Sequence, residues 1–372
     1  MKPSRPSPRS APSARQAGAA LLAAMLTVTL VATFATAALW QQWRAVEVEA
    51  AERGRVQSAW ILVGALDWAR LILREDGRTG GPDHLAEPWA VPLEEARLSS
   101  FLSAEKNVAS QSLEGLPDAL LSGSIVDAQS KLNVMNLVVG NKPDPSSVAA
   151  FTKLFALLGL PASDVALLAN GVQRAMAGIS TPTTAPPTPA TPAPAGTAVN
   201  APAAVAATPA TPPATTAGTD SDNSQAPNAP LMPVRTAQLV WFGLSPQTVA
   251  TLAPYVTVLP VSTPLNINTA SAEAIYASVP GLDLAAARQL VARRTLRFFS
   301  QVSDANDGLR DQADAFNGQR HSISTRYFEV EGKLRLDNTF VEEHSLLKRD
   351  GILLTVLWRE RGAGATLRAT TP

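Results

Sequence analysis

The segment AALLAAMLTVTLVATFATAALW, residues 19–40, carries no charged side chain over its 22 residues. As an α-helix rising about 1.5 Å per residue, it is long enough to cross the roughly 30 Å hydrocarbon core of a bilayer. Four basic residues and no acidic residue precede it. The positive-inside rule therefore places the N-terminus in the cytoplasm and the chain after Trp40 on the far side of the membrane. We predict a single-pass membrane protein.

Helical character continues beyond this apolar segment. Apolar residues such as Trp43, Trp60 and Leu66 recur near helical spacing among charged residues. We therefore predict one helix over residues 19–75, of which residues 19–40 are transmembrane. The alternative is an ordinary signal peptide cleaved among the small residues near Ala37, although such peptides have a shorter apolar core of about 7–15 residues.

The composition limits what the rest of the chain can be. The 372 residues contain no cysteine, which excludes disulfides and thiol catalysis, and the formal net charge of zero gives no general attraction to nucleic acid. Residues 179–230 consist mainly of Ala, Pro and Thr, with almost no large apolar side chain. Because such a segment cannot offset its ordering entropy, we predict a disordered loop. A mucin-like or partner-binding proline tract is the alternative.

The remaining sequence alternates between strand and helix patterns. Residues 116–139 predict a strand, a turn at Ser122-Gly123 and a second strand or loop. Two helices follow between residues 145 and 177, and helical signals resume over residues 236–297. Residues 327–360 alternate as three strands, which predicts an antiparallel meander with turns near Asp337-Asn338 and Asp350-Gly351.

Strand regions on both sides of a helical block indicate an α/β (α+β) fold with an inserted domain. We place the first part of the sheet domain at residues 76–140, the mainly helical insertion at 141–322, and the meander that completes the sheet domain at 323–372. A long loop inside the insertion is tolerated because the cost of loop closure grows only logarithmically with length.

Several segments resemble one known family. Arg15-Gln16-Ala17-Gly18 before the apolar run is similar to a prepilin-type cleavage site, and DAQSKLNVMNL, residues 127–137, resembles a DAQxxxNxNNL segment. The segments APYVTVLP (253–260), LNINTA (265–270) and VPGL (279–282) fit the same family. The chain thus resembles the type II secretion minor pseudopilin K family.

The resemblance implies a fold, a processing site and partners. It implies a pilin-like long N-terminal helix packed on an antiparallel sheet, and cleavage of the leader, residues 1–18, between Gly18 and Ala19 with N-methylation of Ala19. The implied partners are the I-type and J-type minor pseudopilins, the major pseudopilin, the prepilin peptidase and the inner-membrane secretion platform. The implied location is the Gram-negative inner membrane, with the main domain in the periplasm.

The fifth position after this cleavage site is Ala23, where most pilin-type subunits carry a glutamate. A carboxylate at that depth is costly unless it meets a cation, and in pilins it pairs with a neighbour's N-terminal amine. A subunit without it cannot make that contact. This agrees with a position at the tip of a secretion pseudopilus. The resemblance implies that such a tip subunit initiates assembly and supports export of folded periplasmic proteins.

Residues 265–294 offer a competing interpretation. Their Asn-x-Asn-Thr-Ala opening, Val-Pro-Gly-Leu turn and trailing Arg288, Arg293 and Arg294 resemble a helix-hairpin-helix DNA-binding unit. Asp283 stands where a DNA-binding version has a second glycine, and its charge opposes phosphate. We therefore expect no nucleic-acid partner and keep a membrane-anchored DNA receptor of the competence type as the alternative.

Enzymatic function has little support in the sequence. His84, His321 and His344 lie in no recognisable catalytic motif, and no phosphate-binding loop is present. We expect no catalytic residue and no required cofactor. An acidic stretch provides candidate calcium ligands, since calcium takes several oxygens from such loops, with a solvated acidic loop as the alternative. The candidate ligands are Asp304, Asn306, Asp307, Asp311 and Asp314.

Overall fold

The computed structural model describes residues 16–98, 119–179, 230–307, 315–336 and 339–364. The helices are α1 (Gln16–Thr79), α2 (Pro145–Leu157), α3 (Ser163–Ile179), α4 (Pro246–Leu252), α5 (Ala272–Ser278) and α6 (Leu284–Leu296). The main strands are β1 (Leu93–Arg97), β2 (Ala119–Asp127), β9 (Tyr327–Leu336), β10 (Thr339–Asp350) and β11 (Leu353–Gly364). Two-residue strands are β3 (Leu132–Asn133), β4 (Val138–Val139), β5 (Lys142–Pro143), β6 (Val256–Thr257), β7 (Leu265–Asn266) and β8 (His321–Ser322). Short 3-10 helices are Pro88–Ala90, Ala128–Ser130, Val134–Leu137, Thr236–Phe242 and Val302–Ala305.

The N-terminal helix α1 is continuous over 64 residues. It ends at Thr79, four residues beyond the predicted boundary, and the next residue, Gly80, has a φ of 63°, the left-handed conformation that often terminates helices. Only its C-terminal third packs on the protein. The buried residues recur three or four positions apart, as expected for one helix face, and are Ser58, Leu62, Leu66, Ala69 and Leu73.

The sheet contains five strands in the order β1-β2-β9-β10-β11, all antiparallel. The predicted meander is confirmed as β9 to β11, with Gly351 at φ 62° in its second turn. Asp337 and Asn338 lie outside the described residues. The predicted turn at Ser122-Gly123 is wrong, because both residues lie inside β2. Gly123 is needed for close strand approach: a Cβ there would lie 2.7 Å from the carbonyl oxygen of Glu331.

The inserted domain occupies the chain between β2 and β9. It starts earlier than predicted, because Leu132, Val134 and Leu137 already pack in its core with α2 and α3. The two helices predicted between residues 145 and 177 are confirmed. The predicted helical stretch 236–297 is interrupted by β6 and β7, which pair in parallel with β3 and β8. Prolines throughout the segment 254–264 explain this interruption, since proline cannot continue a helix.

The insertion leaves the sheet next to the C-terminal end of α1. Leu62, early in the packed part of α1, contacts Gly332 in the middle of β9, whereas Gly77 lies against Gly351 in the β10–β11 turn. The insertion is attached at Asp127 and Tyr327, and Tyr327 pairs with Lys348 close to that turn. It therefore lies at the end of the molecule opposite the apolar N-terminal half of α1.

Candidate functional site

The N-terminal half of α1 is an uncovered apolar surface. Within the part of the chain that the structure describes, α1 is the one helix long and apolar enough to cross a membrane. Residues 19–57 make up about 58 Å of helix, and almost all of their side chains are exposed. The predicted cleavage bond between Gly18 and Ala19 falls in the first turn of α1, and Ala23 is exposed. The large exposed apolar side chains include Leu21, Leu22, Met25, Leu26, Phe34, Leu39, Trp40, Trp43, Val56 and Trp60.

A buried carboxylate joins the sheet to the inserted domain. Asp127, the last residue of β2, accepts hydrogen bonds from the backbone N–H of Gln129 (2.7 Å), from Asn266 Nδ2 (2.8 Å) and from Thr269 Oγ1 (2.5 Å). Burial raises the pKa of this carboxyl to about 6, against the opposing effect of those donors. The first residue of the DAQ segment thus links the strand to two residues of the LNINTA segment.

A second polar cluster attaches the end of α1 to the same junction. Asp83 accepts from the backbone N–H of Thr325 (2.7 Å), and its own N–H donates to Ile323 O (2.8 Å). The guanidinium of Arg349 forms ion pairs with both Asp76 and Asp83. Burial raises the pKa of Asp83 despite the nearby charge of Arg349. The loop after α1, the sheet and the insertion are therefore held in one network.

Glu87 lies beside this cluster. Its carboxylate accepts hydrogen bonds from the N–H of His84 (2.9 Å) and from Trp89 Nε1 (2.7 Å). Burial, with the negative charge of Asp76 nearby, raises the pKa of Glu87 to about 7. Together with Asp83 and Asp76, this is a group of three carboxylates, of which Asp76 and Asp83 are paired with the guanidinium of Arg349.

The asparagines of the DAQSKLNVMNL segment hold the crossing segment 255–264. Asn133 accepts from Leu259 N (3.2 Å) and donates to Val261 O (2.7 Å). Asn136 donates to Thr263 O (2.8 Å) and accepts from Thr263 N (3.0 Å). The residues that carry the resemblance are therefore positioning residues inside the fold, a role that the sequence pattern alone does not reveal.

The carbonyl oxygens of the hairpin between α5 and α6 bind a lysine of the same domain. The ammonium of Lys153 on α2 donates to the carbonyl oxygens of Tyr276 (2.7 Å), Val279 (2.8 Å) and Leu282 (2.7 Å). Asp283 accepts from Ala286 N (2.6 Å) and caps α6, so its carboxylate takes one of the amides that a phosphate would need.

The basic residues after the hairpin are also mostly used inside the protein. Arg294 is buried and donates to Ile267 O (2.6 Å), and Arg293 donates to the carbonyl oxygens of Asp304 and Asp307. Of the three, Arg288 is the exposed one on α6. The geometry argues against duplex binding by this hairpin.

The candidate calcium ligands are only partly described. Asp304 accepts from the backbone N–H groups of Ser300 and Gln301 (both 2.9 Å), as a helix cap does. Both polar atoms of the Asn306 side chain bond the backbone of Phe316. Asp311 and Asp314 lie outside the described residues. Calcium binding by this group stays a prediction.

The three histidines lie in three separate environments. His321 is buried, with Nε2 3.1 Å from Ser278 Oγ, and burial lowers its pKa to about 4. The ring of His84 stacks on Phe298, and burial lowers its pKa as well. His344 lies on the outer face of the sheet. In a catalytic triad the histidine bonds a serine through one nitrogen and an acidic residue through the other. His321 contacts Ser278, but its Nδ1 accepts from the backbone N–H of Asn317 (3.3 Å) instead of bonding an acid.

Comparison with known proteins decides the family. Two family models described as type II secretion system protein K match residues 130–261 and 265–324, together more than half of the chain. The chain belongs to the type II secretion system protein K family. The matched residues coincide with the inserted domain and its junction to the sheet.

A relative and a solved structure agree with this assignment. The type II secretion system protein K of Pseudomonas aeruginosa is 26% identical over 358 residues, which is 94% of each chain. The chain also has the fold seen in the GspK-GspI-GspJ complex from the type 2 secretion system of enterotoxigenic Escherichia coli, with a TM-score of 0.54 and 16% identity. That match covers 84% of this chain and 98% of the other. The recognised family and the mixed α/β fold are confirmed, and the chain is a minor pseudopilin component of type II secretion with an N-terminal helix suited to anchor it in a membrane.

Proposed function

We propose that this subunit sits at the tip of the secretion pseudopilus, initiates its assembly and thereby supports export of folded periplasmic proteins across the outer membrane. The observation that supports this most strongly is the position of the inserted domain, at the end of the molecule opposite the apolar half of α1. Helices of a filament stack along its axis, so a large domain at this end blocks a further subunit from being added above it.

Processing at the N-terminus belongs to the same proposal. The prepilin peptidase cuts between Gly18 and Ala19, Ala19 is methylated, and the cytoplasmic N-terminus leaves the main domain in the periplasm. Ala23 cannot pair with a neighbour's N-terminal amine as a glutamate would. Small residues near this end, Ala19, Ala20 and Ala24, permit close approach of neighbouring helices in the membrane.

The exposed apolar surface of α1 supports packing against other pseudopilins. Outside the bilayer, Trp43, Val56 and Trp60 remain uncovered by the chain's own domains. In the proposal they contact the helices of the I-type and J-type minor pseudopilins, with the major pseudopilin below and the inner-membrane platform at the base. The E. coli structure, a complex of GspK with GspI and GspJ, supports this choice of partners.

Crosslinking tests the proposal directly, because the chain contains no cysteine of its own. A Val56→Cys variant, paired with single cysteines at matching depth in each partner, reports which helices lie next to α1. We expect disulfide crosslinks to the I-type and J-type subunits. An equivalent variant at Val139, an exposed residue of β4 in the inserted domain, is the control and should give none of these crosslinks. If Val56→Cys crosslinked to the major pseudopilin as strongly as to the I-type and J-type subunits, a tip position would be contradicted.

A further inference from the structure

We propose that Glu331, Glu342 and His344 form a binding site for zinc or a similar divalent transition metal on the outer face of the sheet. These residues belong to β9 and β10, two strands that are paired on both sides and are therefore rigid. Side chains alternate between the two faces of a strand. Because Gly332 faces Leu62 of α1, its neighbour Glu331 points to the opposite, outer face.

The register of the strands brings the ligand atoms together. His344 is directly opposite Glu331, and Glu342 is directly opposite Lys333. His344 Nε2 lies 3.2 Å from Glu342 Oε1 and 4.0 Å from Glu331 Oε1. One ligand atom from each of the three residues falls within 4.8 Å of the other two. A tetrahedral zinc ion, with ligands at 2.0–2.2 Å, separates neighbouring ligand atoms by about 3.4 Å, so small side-chain rotations complete the geometry.

The cluster on this face has more negative than positive charge. Two other acids of the sheet each pair with one base, Glu329 with Lys131 (2.8 Å) and Glu95 with Arg335 (3.1 Å). Glu331 and Glu342 instead share a single ammonium, that of Lys333, at 2.6 and 3.5 Å. The two carboxylates and this ammonium together carry one uncompensated negative charge. A divalent ion that displaces Lys333 neutralises both carboxylates.

The donor set indicates the class of metal. Imidazole nitrogen with carboxylate oxygen suits zinc, copper and nickel, whereas calcium and magnesium prefer oxygen ligands alone. His344 is about half exposed, so water can take the fourth position. Ser124 Oγ lies 3.4 Å from Glu331 Oε2 and can orient that carboxylate from behind.

The cluster at the end of α1 provides a contrast. Asp76, Asp83 and Glu87 also lie within reach of one another. There, however, the guanidinium of Arg349 is itself buried and bonded to two of the carboxylates. Lys333 is a flexible, partly exposed point charge that can move into solvent, whereas this arginine cannot. The outer-face cluster is therefore the one that a metal ion can enter.

Zinc titration of the untagged full-length protein in detergent micelles tests the site, with competition by a chromophoric chelator. We expect one equivalent of zinc and a higher temperature of unfolding with ZnCl2 than with CaCl2, because an ion that binds only the folded state stabilises it. His344→Ala and Glu342→Gln should each weaken zinc binding at least about 10-fold. Lys333→Met should strengthen it, since the competing ammonium is gone.

His84→Ala is the matched control, because it removes a histidine outside the cluster and should leave zinc affinity unchanged. Circular dichroism in EDTA verifies that the His344→Ala variant is folded, which its exposed position favours. Zinc binding that is absent from the wild type, or equal in wild type and His344→Ala, would overturn the proposal. Unchanged affinity in Lys333→Met would refute competition between the ammonium and the metal for these carboxylates.

Discussion

The ammonium of Lys153 lies 2.8 Å from the carbonyl oxygen of Val279, at the centre of the hairpin between α5 and α6. The carbonyls of Tyr276 and Leu282 complete a cage of three acceptors at 2.7–2.8 Å, and the Tyr276 ring faces the ammonium with its centroid at 4.0 Å. The hairpin thus uses its polar groups to bind α2 of the same domain. This explains how a sequence that resembles a DNA-binding unit serves as a structural part of a secretion subunit.

Lys153→Met should destabilise the inserted domain. The change leaves three carbonyl oxygens without their charged donor, and we expect a loss of about 2 to 3 kcal/mol in the free energy of unfolding, measured by urea denaturation. Lys142→Met, at an exposed lysine near the same helix, is the control and should change stability by less than about 0.5 kcal/mol. A Lys153→Ala variant should also be destabilised, and ammonium chloride should partly restore its free energy of unfolding. If neither Lys153→Met nor Lys153→Ala lost stability, the three carbonyl oxygens would not depend on the ammonium.

Asp127 should make stability depend on pH. Its pKa is about 6 in the folded protein and 3.8 as the ordinary value. Between these two values the folded state retains a proton that the unfolded chain releases. The resulting contribution to the free energy of unfolding is fully present below about pH 4 and is lost as pH rises through 6. The shift corresponds to about 3 kcal/mol at most.

Comparison of wild type with Asp127→Asn isolates this effect from that of Glu87, whose raised pKa acts in the same direction. We expect the variant to be less stable at low pH. Oδ1 of Asp127 accepts from Gln129 N, and Oδ2 accepts from Asn266 and Thr269. Asparagine replaces one of these two oxygens with an NH2 group, which cannot accept a hydrogen bond. The stability difference between the two proteins should shrink from pH 4 to pH 7. A difference that is constant over this range, measured by chemical denaturation, would show that Asp127 does not retain the proton.

The proline-rich tract should contribute little to folding. Its predicted disorder concerns residues that lie outside the described ones, so it remains a prediction. Removing residues 190–219, which leaves generous connections on both sides, should change the temperature of unfolding by no more than about 2 °C, since loop closure depends weakly on length. A large loss of thermal stability, measured by calorimetry, would mean that the tract packs on the protein.

Leader removal should depend on Gly18. A Gly18→Leu variant should keep the leader and abolish secretion, whereas Ala17→Ser, a small change at the neighbouring position, should be processed. Intact-mass and terminal-peptide mass spectrometry, in cells with and without the prepilin peptidase, reads the result. Methylated Ala19 should appear only in cells that contain the peptidase. Normal processing of Gly18→Leu, or a wild-type terminus near Ala38, would refute the assigned site.

Much of the fold could be predicted because its signals are local. The apolar run of α1, the alternation of β9 to β11 and the helical spacing around Phe151 depend on neighbours a few positions apart. The prediction from the sequence was wrong where a residue type typical of turns is required by a contact with a distant strand. Ser122-Gly123 has the composition of a turn, yet glycine at 123 is required by the close approach of β9.

The junction could be predicted least. The hydrogen bond between Asp127 and Asn266 joins residues 139 positions apart, and the ion pair between Arg349 and Asp83 joins residues 266 positions apart. Nothing in the spacing of these residues indicates that they meet. The resemblance marked Asp127 and Asn133 as family residues, but only the structure assigns them the role of fixing the insertion on the sheet.

Location of the inserted domain on isolated pseudopili tests the central proposal most directly. An Ala285→Cys variant places one thiol on the exposed side of α6, and a maleimide-linked gold particle then marks the subunit in electron micrographs. A tip subunit predicts a single particle at one end of each filament. Particles spaced along the shaft would contradict the account.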